Sequence, residues 1–346
     1  MDRREFVGSL AAAAALWPLP ARAARPKAGA FRTILRDLER PEGIACARDG
    51  RTFISTASAA YVVLGANGAL TRVGENVHGN GVALDGRERV VIATFGLLAN
   101  KPGPLLRHDP VTDRFETLAD KIGGRLLVGS NAPAIARDGT IYCTHSKWSD
   151  PANIGNRAAE GFVYRVTPAG EVTMETSGIR GANGCCLDRG ERYLYVAETA
   201  SGRIRRMRRR RDGSLGRAEN FGPLLGEVIP DHDIGDIRRM DAAARGRLGY
   251  PDGLAFDAQG NLWVTLPFAN AIVAITPDQR VIEMARDPAG ETISMPTNIA
   301  WGGADLRDLY VVSRASNSIA RARTTVAGLP LSHWVQRPAS KARRIA

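Results

Sequence analysis

One short pattern occurs six times in this chain of 346 residues: PEGIACARDGRTFIST from Pro41, GNGVALDGRERVVIAT from Gly79, SNAPAIARDGTIYCT from Ser130, ANGCCLDRGERYLYVAET from Ala182, PDGLAFDAQGNLWVT from Pro251 and PTNIAWGGADLRDLYVVS from Pro296. Each copy reads as a short apolar strand, a polar turn, and a second strand rich in β-branched and aromatic residues. One such unit cannot bury its own apolar face, so the units must pack on one another. Their spacing of roughly 40 to 70 residues is that of β-propeller blades, which are four-stranded sheets. Length alone would admit two domains. Six blades around one axis, however, use almost the whole chain. The expectation is therefore an all-β fold, a single six-bladed β-propeller over residues 24–346, with residues from about Ala24 to Arg40 able to supply a strand that closes the ring.

Aligned on the repeat, the second position reads Glu42, Asn80, Asn131, Asn183, Asp252 and Thr297. Every one carries a side-chain oxygen. A lone Asn after a strand is usually a turn residue, but a structural repeat has no need of six oxygens in register. Equivalent positions of successive blades converge on a propeller's axis. Oxygen-only donor sets suit hard divalent cations, while zinc and copper prefer nitrogen and sulfur. The pattern predicts an axial divalent-metal site, with Ca²⁺ as the first choice and Mg²⁺, Mn²⁺ or Zn²⁺ as alternatives. His78, two residues before Asn80, could line the same mouth.

The N-terminus reads as an export signal: DRREFVG with its twin Arg3 and Arg4, the apolar run SLAAAAALW, then an Ala-x-Ala cleavage site at Ala21 to Ala23. Residues 1–23 are thus expected to be a twin-arginine leader that engages the export machinery. The mature protein would be periplasmic, with no stable membrane span, because the apolar run is short for a bilayer. The formal charge of +11 is concentrated in RIRRMRRRR, Arg203 to Arg211. That run reads as a solvated outer strand and its hairpin tip. No aromatic residues interleave the arginines, which argues against a nucleic-acid partner. Cys46, Cys143, Cys185 and Cys186 lie inside repeat strands and lack metal-ligand spacing, so buried free thiols are expected. The tail from Gln336 is basic and reads as frayed.

The stretch from Phe221 to Pro251 is far longer than a hairpin needs and ends at Asp252. It reads as a cover over the mouth, with a short helix in DIRRMDAAARGRLG, Asp236 near its N-cap and Gly249 beyond its end. A second unusual segment runs from Thr94 to Pro110. His145 and His232 read as surface or packing residues. There is no G-x-S-x-G elbow and no G-x-G-x-x-G loop, so neither a serine-hydrolase triad nor a phosphate cradle is indicated.

The motifs PEGIA, NGCCLDRGERYLYVAET, PDGLAFDAQGNLWV and PTNIAWGG resemble those of the regucalcin (senescence marker protein)/gluconolactonase/luciferin-regenerating-enzyme family, from about Pro41 to Val312. The resemblance implies a six-bladed propeller with an axial divalent cation, commonly Ca²⁺, and hydrolysis of lactones. It also implies roles by position. Glu42 and Asn183 match metal ligands, and Asp252 matches the aspartate that binds metal and acts as base or nucleophile. Asn131 matches an asparagine that contacts metal or substrate. An arginine that binds substrate in the family is matched by Arg125 only with a one-residue insertion, and Ala132 stands where an aspartate often follows the asparagine.

The chemistry can be argued on its own terms. A divalent cation polarises a lactone carbonyl and lowers the pKa of a bound water, and a nearby carboxylate such as Asp252 can take that water's proton. The leading expectation is a metal-dependent hydrolase of a lactone or similar small ester, using Asp252 as base, Glu42, Asn131, Asn183 and Asp252 as metal ligands, and Asn80, Asn131, Arg125 and His78 at the substrate. The alternatives are organophosphate or phosphoester hydrolysis at the same metal, or a non-catalytic ligand-binding propeller with a structural metal.

Overall fold

The computed structural model describes residues 26–335. The leader over residues 1–23 and the tail from Gln336 lie outside the described residues. Six four-stranded antiparallel sheets follow in chain order. Their first strands are Ile44–Cys46, Gly79–Leu84, Ser130–Ile135, Ala182–Leu187, Leu254–Phe256 and Pro296–Gly302. Each first strand contacts the first strands of its neighbours, so all six surround one axis. The chain is the six-bladed β-propeller that the repeats predict. Blade six takes its outermost strand from the N-terminal lead-in: Arg32–Leu35 pairs with Ser318–Arg323, with Thr33 opposite Ala320. That pairing closes the ring with two distant parts of the chain.

The core is divided among the blade interfaces. Six apolar clusters lie one at each junction, for example Tyr195, Phe221, Phe256 and Val264 between blades four and five, and Ile44, Ile54, Val312 and Ile319 between blades one and six. Each fully buried large apolar side chain contributes roughly 1.5–3 kcal/mol. No blade holds such a cluster alone, which is why the repeat is stable only as a ring.

The residue after each column position explains the E-G, N-G and D-G pairs of the motif. A Cβ on Gly43 would lie 2.5 Å from the Asn80 carbonyl oxygen, on Gly81 2.2 Å from that of Asn131, on Gly184 2.2 Å from that of Asp252, and on Gly253 2.6 Å from that of Thr297. Neighbouring first strands therefore approach too closely for any side chain at these four places. The close approach lets a ring of hydrogen bonds join the blades, each ending on the backbone carbonyl of the next column residue. Ser55 donates to Asn80 O, the Asn80 amide to Asn131 O (3.3 Å), Thr144 to Asn183 O (2.7 Å), the Gly184 N–H to Asp252 O (3.0 Å), Thr265 to Thr297 O (3.2 Å) and Thr297 to Glu42 O (3.0 Å). All six junctions are spanned, and the column is held in register by its own main chain.

Two expectations need correction. The arginine run is not the outer strand of its blade. Arg203–Arg209 is the third strand of blade four, and Leu215–Phe221 lies outside it. Three of its charges are paired, Arg206 2.6 Å from Glu219 and Arg205 3.5 Å from Glu198 within the blade, and Arg209 with Asp138 of blade three. The insertion before Asp252 forms two short helices rather than one: α1, Ile234–Arg239, and α2, Ala242–Gly246. Asp236 sits inside the first turn of α1, accepting from the Asp233 N–H at 2.9 Å. Asp241 then caps a new helix by accepting from the Ala244 N–H at 2.7 Å, and this competing cap breaks the helix at Met240.

All four cysteines are buried and unpaired. Burial pushes the Cys46 and Cys143 thiols up to about 12, which removes thiolate chemistry near neutrality. Among the described residues no helix is long and apolar enough to cross a membrane.

Candidate functional site

One end of the axis is an open cavity lined by all six column residues, Glu42, Asn80, Asn131, Asn183, Asp252 and Thr297. Local structure aims them there. In four blades the ladder between first and second strands slips at the column, between Gly79 and Val82, Ser130 and Pro133, Ala182 and Cys185, and Pro296 and Asn298. Such irregularities turn a side chain out of the alternating pleat.

The hydrogen bonds orient the amides without ambiguity. Asn131 Nδ2 reaches Ser146 Oγ at 2.9 Å, and that hydroxyl donates onward to Ala182 O at 2.8 Å, so it must accept from Asn131. Asn183 Nδ2 reaches Thr199 Oγ1 at 3.2 Å, and Thr199 donates to Pro251 O at 2.8 Å. Asn80 Nδ2 faces a carbonyl, which only accepts. Each amide nitrogen is thus engaged in the wall, and among the described residues no donor reaches any of the three Oδ1 atoms. Thr297 differs, because its hydroxyl donates to Glu42 O in the inter-blade ring.

The two carboxylates also differ. Asp252 opens on the cavity, has no hydrogen-bond or charge partner among the described residues, and is pushed up to about 8 by burial. Glu42 is ion-paired through Oε2 with Arg314 Nη1, and its Oε1 has no donor among the described residues. No group of three His, Cys, Asp or Glu that could hold a metal occurs among the described residues. A cation here would rest on two carboxylates and amide oxygens. The donor set passes that test: three amide oxygens and a carboxyl without donors are poor company for each other and good company for a hard cation. A positive charge beside Asp252 would also restore its ionised form.

The other predicted site residues are placed as follows. His78 lies in an adjoining cleft that shares Glu42, Asn80 and Arg314 with the mouth, with Nδ1 on the Ala57 carbonyl. Arg125 is exposed on the Lys121–Leu126 hairpin, its guanidinium 4.1 Å over the Trp148 ring, and it does not line the mouth. His145 is a packing residue: Nε2 accepts from the Gly129 N–H at 3.0 Å, the ring stacks on Phe162, and burial pulls its pKa down to about 3. His232 lies buried in the insertion, 3.2 Å from Asn156 Nδ2.

The insertion before Asp252 does reach the mouth, through Ile234, Arg238 and Tyr250. It is fastened to the loop after the second strand of blade three: Ile234 N–H donates to Ala152 O at 2.8 Å, and Arg157 bridges Asp231 and Asp233 at 2.8 and 2.9 Å. Ile237, Leu248 and Tyr250 give it a small core against Ile154 and Phe268. From the other side, Phe95 and Leu98 of the 94–110 segment complete the rim.

Three cationic residues at this mouth escape the repeat alignment: Lys147, Arg238 and Arg314. A signal for two of them exists in the chain. The second strands of blades two, three, five and six all exit toward the mouth, so Phe95, Ser146 and Lys147, Phe268 and Arg314 form a second ring outside the column. Aligning strand ends rather than strand starts would have found it. Arg238 sits in an insertion without a repeat equivalent.

Residues 77–315 match the family described as the SMP-30/Gluconolactonase/LRE-like region. A 6-deoxy-6-sulfogluconolactonase from Pseudomonas putida is 34% identical over 105 residues, 30% of this chain and 34% of that protein. A gluconolactonase from Zymomonas mobilis is 24% identical over 255 residues, 72% of this chain and 64% of that protein. The alignments thus span about one third and just under two thirds of these two relatives. Among solved structures, a calcium-binding protein, regucalcin, from Agrobacterium tumefaciens superposes with a TM-score of 0.64 at 19% identity, covering 87% of this chain and 95% of the other. At that identity the likeness concerns the fold.

Proposed function

The chain belongs to the SMP-30/Gluconolactonase/LRE-like family, and from that premise we propose that it is a divalent-metal-dependent hydrolase of sugar lactones or similar small cyclic esters. The observation that carries this reading is the set of Oδ1 atoms of Asn80, Asn131 and Asn183 without donors, gathered with the unpartnered carboxyl of Asp252 in one cavity. The names of the relatives support the lactone class.

Glu42, Asn131, Asn183 and Asp252 are the residues that would hold the cation, and Ca²⁺ suits their all-oxygen chemistry. When bound, it would supply Lewis acidity toward the lactone carbonyl and acidify a water. Asp252, ionised beside that charge, accepts the water's proton as the oxygen adds to the carbonyl carbon. The ring carbon–oxygen bond then breaks, the ring oxygen takes up a proton, and the product is the open hydroxy acid. Ser146 and Thr199 hold the Asn131 and Asn183 amides with their oxygens turned inward, so little reorganisation is needed. Asn80 stands in the same wall and is assigned to the substrate.

The test is an assay of purified protein, stripped of metal and reloaded with Ca²⁺, Mg²⁺, Mn²⁺ or Zn²⁺, on aldonolactones, aryl esters and phosphotriesters. Lactone turnover that vanishes on chelation and returns with a divalent cation is expected. Turnover confined to phosphotriesters, or lactone turnover indifferent to chelation, would reject the proposal.

A further inference from the structure

We infer that this mouth selects lactones carrying a second, negatively charged group remote from the ring carbonyl; the inference rests on the lactonase reading and specifies its substrate class. Five charged side chains line the cavity. Lys147, Arg238 and Arg314 are cationic, Glu42 and Asp252 acidic; with a bound divalent cation holding Asp252 ionised, the balance would be an excess of three positive charges. A neutral sugar gives no reason for that balance.

The three cations are placed differently. Arg314 is already paired, with Glu42. Lys147 is only 6% exposed, and no carboxylate lies within ion-pairing distance of it among the described residues. Its Nζ donates to two backbone carbonyls, Asp150 O at 2.6 Å and Asn153 O. An ammonium has three donors, so one remains. Burial is the largest influence on it and pulls its pKa down to about 8, against the opposing attraction of Asp150, Glu160 and Asp233 beyond ion-pairing distance. Arg238 is exposed on α1 at the rim and has no hydrogen-bond or charge partner among the described residues. One buried ammonium with a spare donor and one unpaired guanidinium thus face the same cavity, one in its wall and one on its cover. Carboxylate, sulfonate and phosphate share the chemistry that would engage both.

The experiment compares kcat/KM for glucono-1,5-lactone and for glucaro-1,5-lactone, the same ring bearing a terminal carboxylate, with the metal-loaded protein. We expect the anionic lactone to be favoured by ~10-fold, equivalent to about 1.4 kcal/mol, and the preference to shrink as salt is raised. Arg238→Gln, at an exposed position, should lower kcat/KM for the anionic lactone several-fold more than for the neutral one, through KM. Lys147→Gln, which keeps donors for the two carbonyls, should act in the same direction. A wild-type ratio at or below one, or an Arg238→Gln loss equal for both lactones, overturns the inference while leaving the lactonase intact. If neither lactone is hydrolysed with any cation, the lactonase reading fails, and thermal stabilisation by glucarate against gluconate decides the charge preference. Greater stabilisation by glucarate upholds it, and equal or lesser stabilisation overturns it.

Discussion

The two ends of the propeller axis are built from the same six strands and could hardly differ more. At the mouth, the strands begin with Glu42, Asn80, Asn131, Asn183 and Asp252, whose free oxygens face an open cavity. At the base they end among Cys46, Leu84, Leu187, Phe256 and Trp301. The chain itself crosses the base. After blade six, Leu329 donates its N–H to Phe256 O at 2.9 Å, and the His333 and Trp334 rings reach Cys46 O at 2.9 and 3.1 Å. The polar end presents oxygens that no protein donor among the described residues reaches, and the apolar end is crossed by the chain's own C-terminal segment. The oxygens of the mouth lie open to the cavity, whereas the buried polar atoms without partners among the described residues include Trp301 Nε1 and His333 Nδ1 at the base. The two ends differ in what they offer: the mouth presents oxygens open to a ligand, while the base and the six blade interfaces bury the apolar surface that holds the ring.

The largest effect should come from the mouth. Asp252→Asn keeps the shape and one oxygen but removes the charge and the base. Turnover should fall ~10²- to 10⁴-fold, and metal affinity should fall with it, because a neutral amide is a weaker ligand for a hard cation. Glu42→Gln should weaken metal binding, and its activity should recover partly when metal is raised. Full recovery of Asp252→Asn under saturating metal would leave that residue a ligand only.

At the base the same kind of substitution should act on folding instead. Leu84→Ala removes a side chain that is 2% exposed and should lower unfolding free energy by roughly 2–5 kcal/mol, read by denaturant titration, while kcat/KM of the remaining folded protein stays within about twofold. If activity fell in parallel with that of Asp252→Asn, the separation of the two ends would be broken.

The smallest effect lies between them, in the ring of inter-blade hydrogen bonds. Thr144 takes the Ala132 N–H at 3.0 Å and gives its own proton to Asn183 O at 2.7 Å. Thr144→Val leaves both backbone groups unpaired and should cost about 1–3 kcal/mol. It should also weaken metal binding slightly, because Asn183 loses its anchor. Unaltered stability would mean that the glycine-mediated strand contacts alone hold the column in register.

Legibility from sequence followed the period. The six blades and the oxygen column could be read because each recurs at equivalent positions, and the closing lead-in strand because a ring needs one. The two helices of the insertion were read as one, because two aspartates competed for the cap and only the folded backbone decided between them. Arg125 matched by motif and lies away from the mouth, stacked on Trp148. Arg314 and Lys147 were missed because the alignment followed strand starts rather than strand ends, and Arg238 because its insertion has no repeat equivalent.

The sequence by itself determined the architecture and the chemical type of the donors, since period, turn residues and side-chain oxygens are properties of the chain. The tertiary structure alone decided which of those oxygens are free. Thr297 looked equivalent to the others, but its hydroxyl closes the ring on Glu42, while Ser146 and Thr199 occupy the nitrogens of Asn131 and Asn183 and leave their oxygens to the cavity. The Ser146 and Thr199 partners come from the end of the next strand of the same blade and the Glu42 carbonyl from the neighbouring blade, and no local pattern in a chain specifies which donor will meet which acceptor.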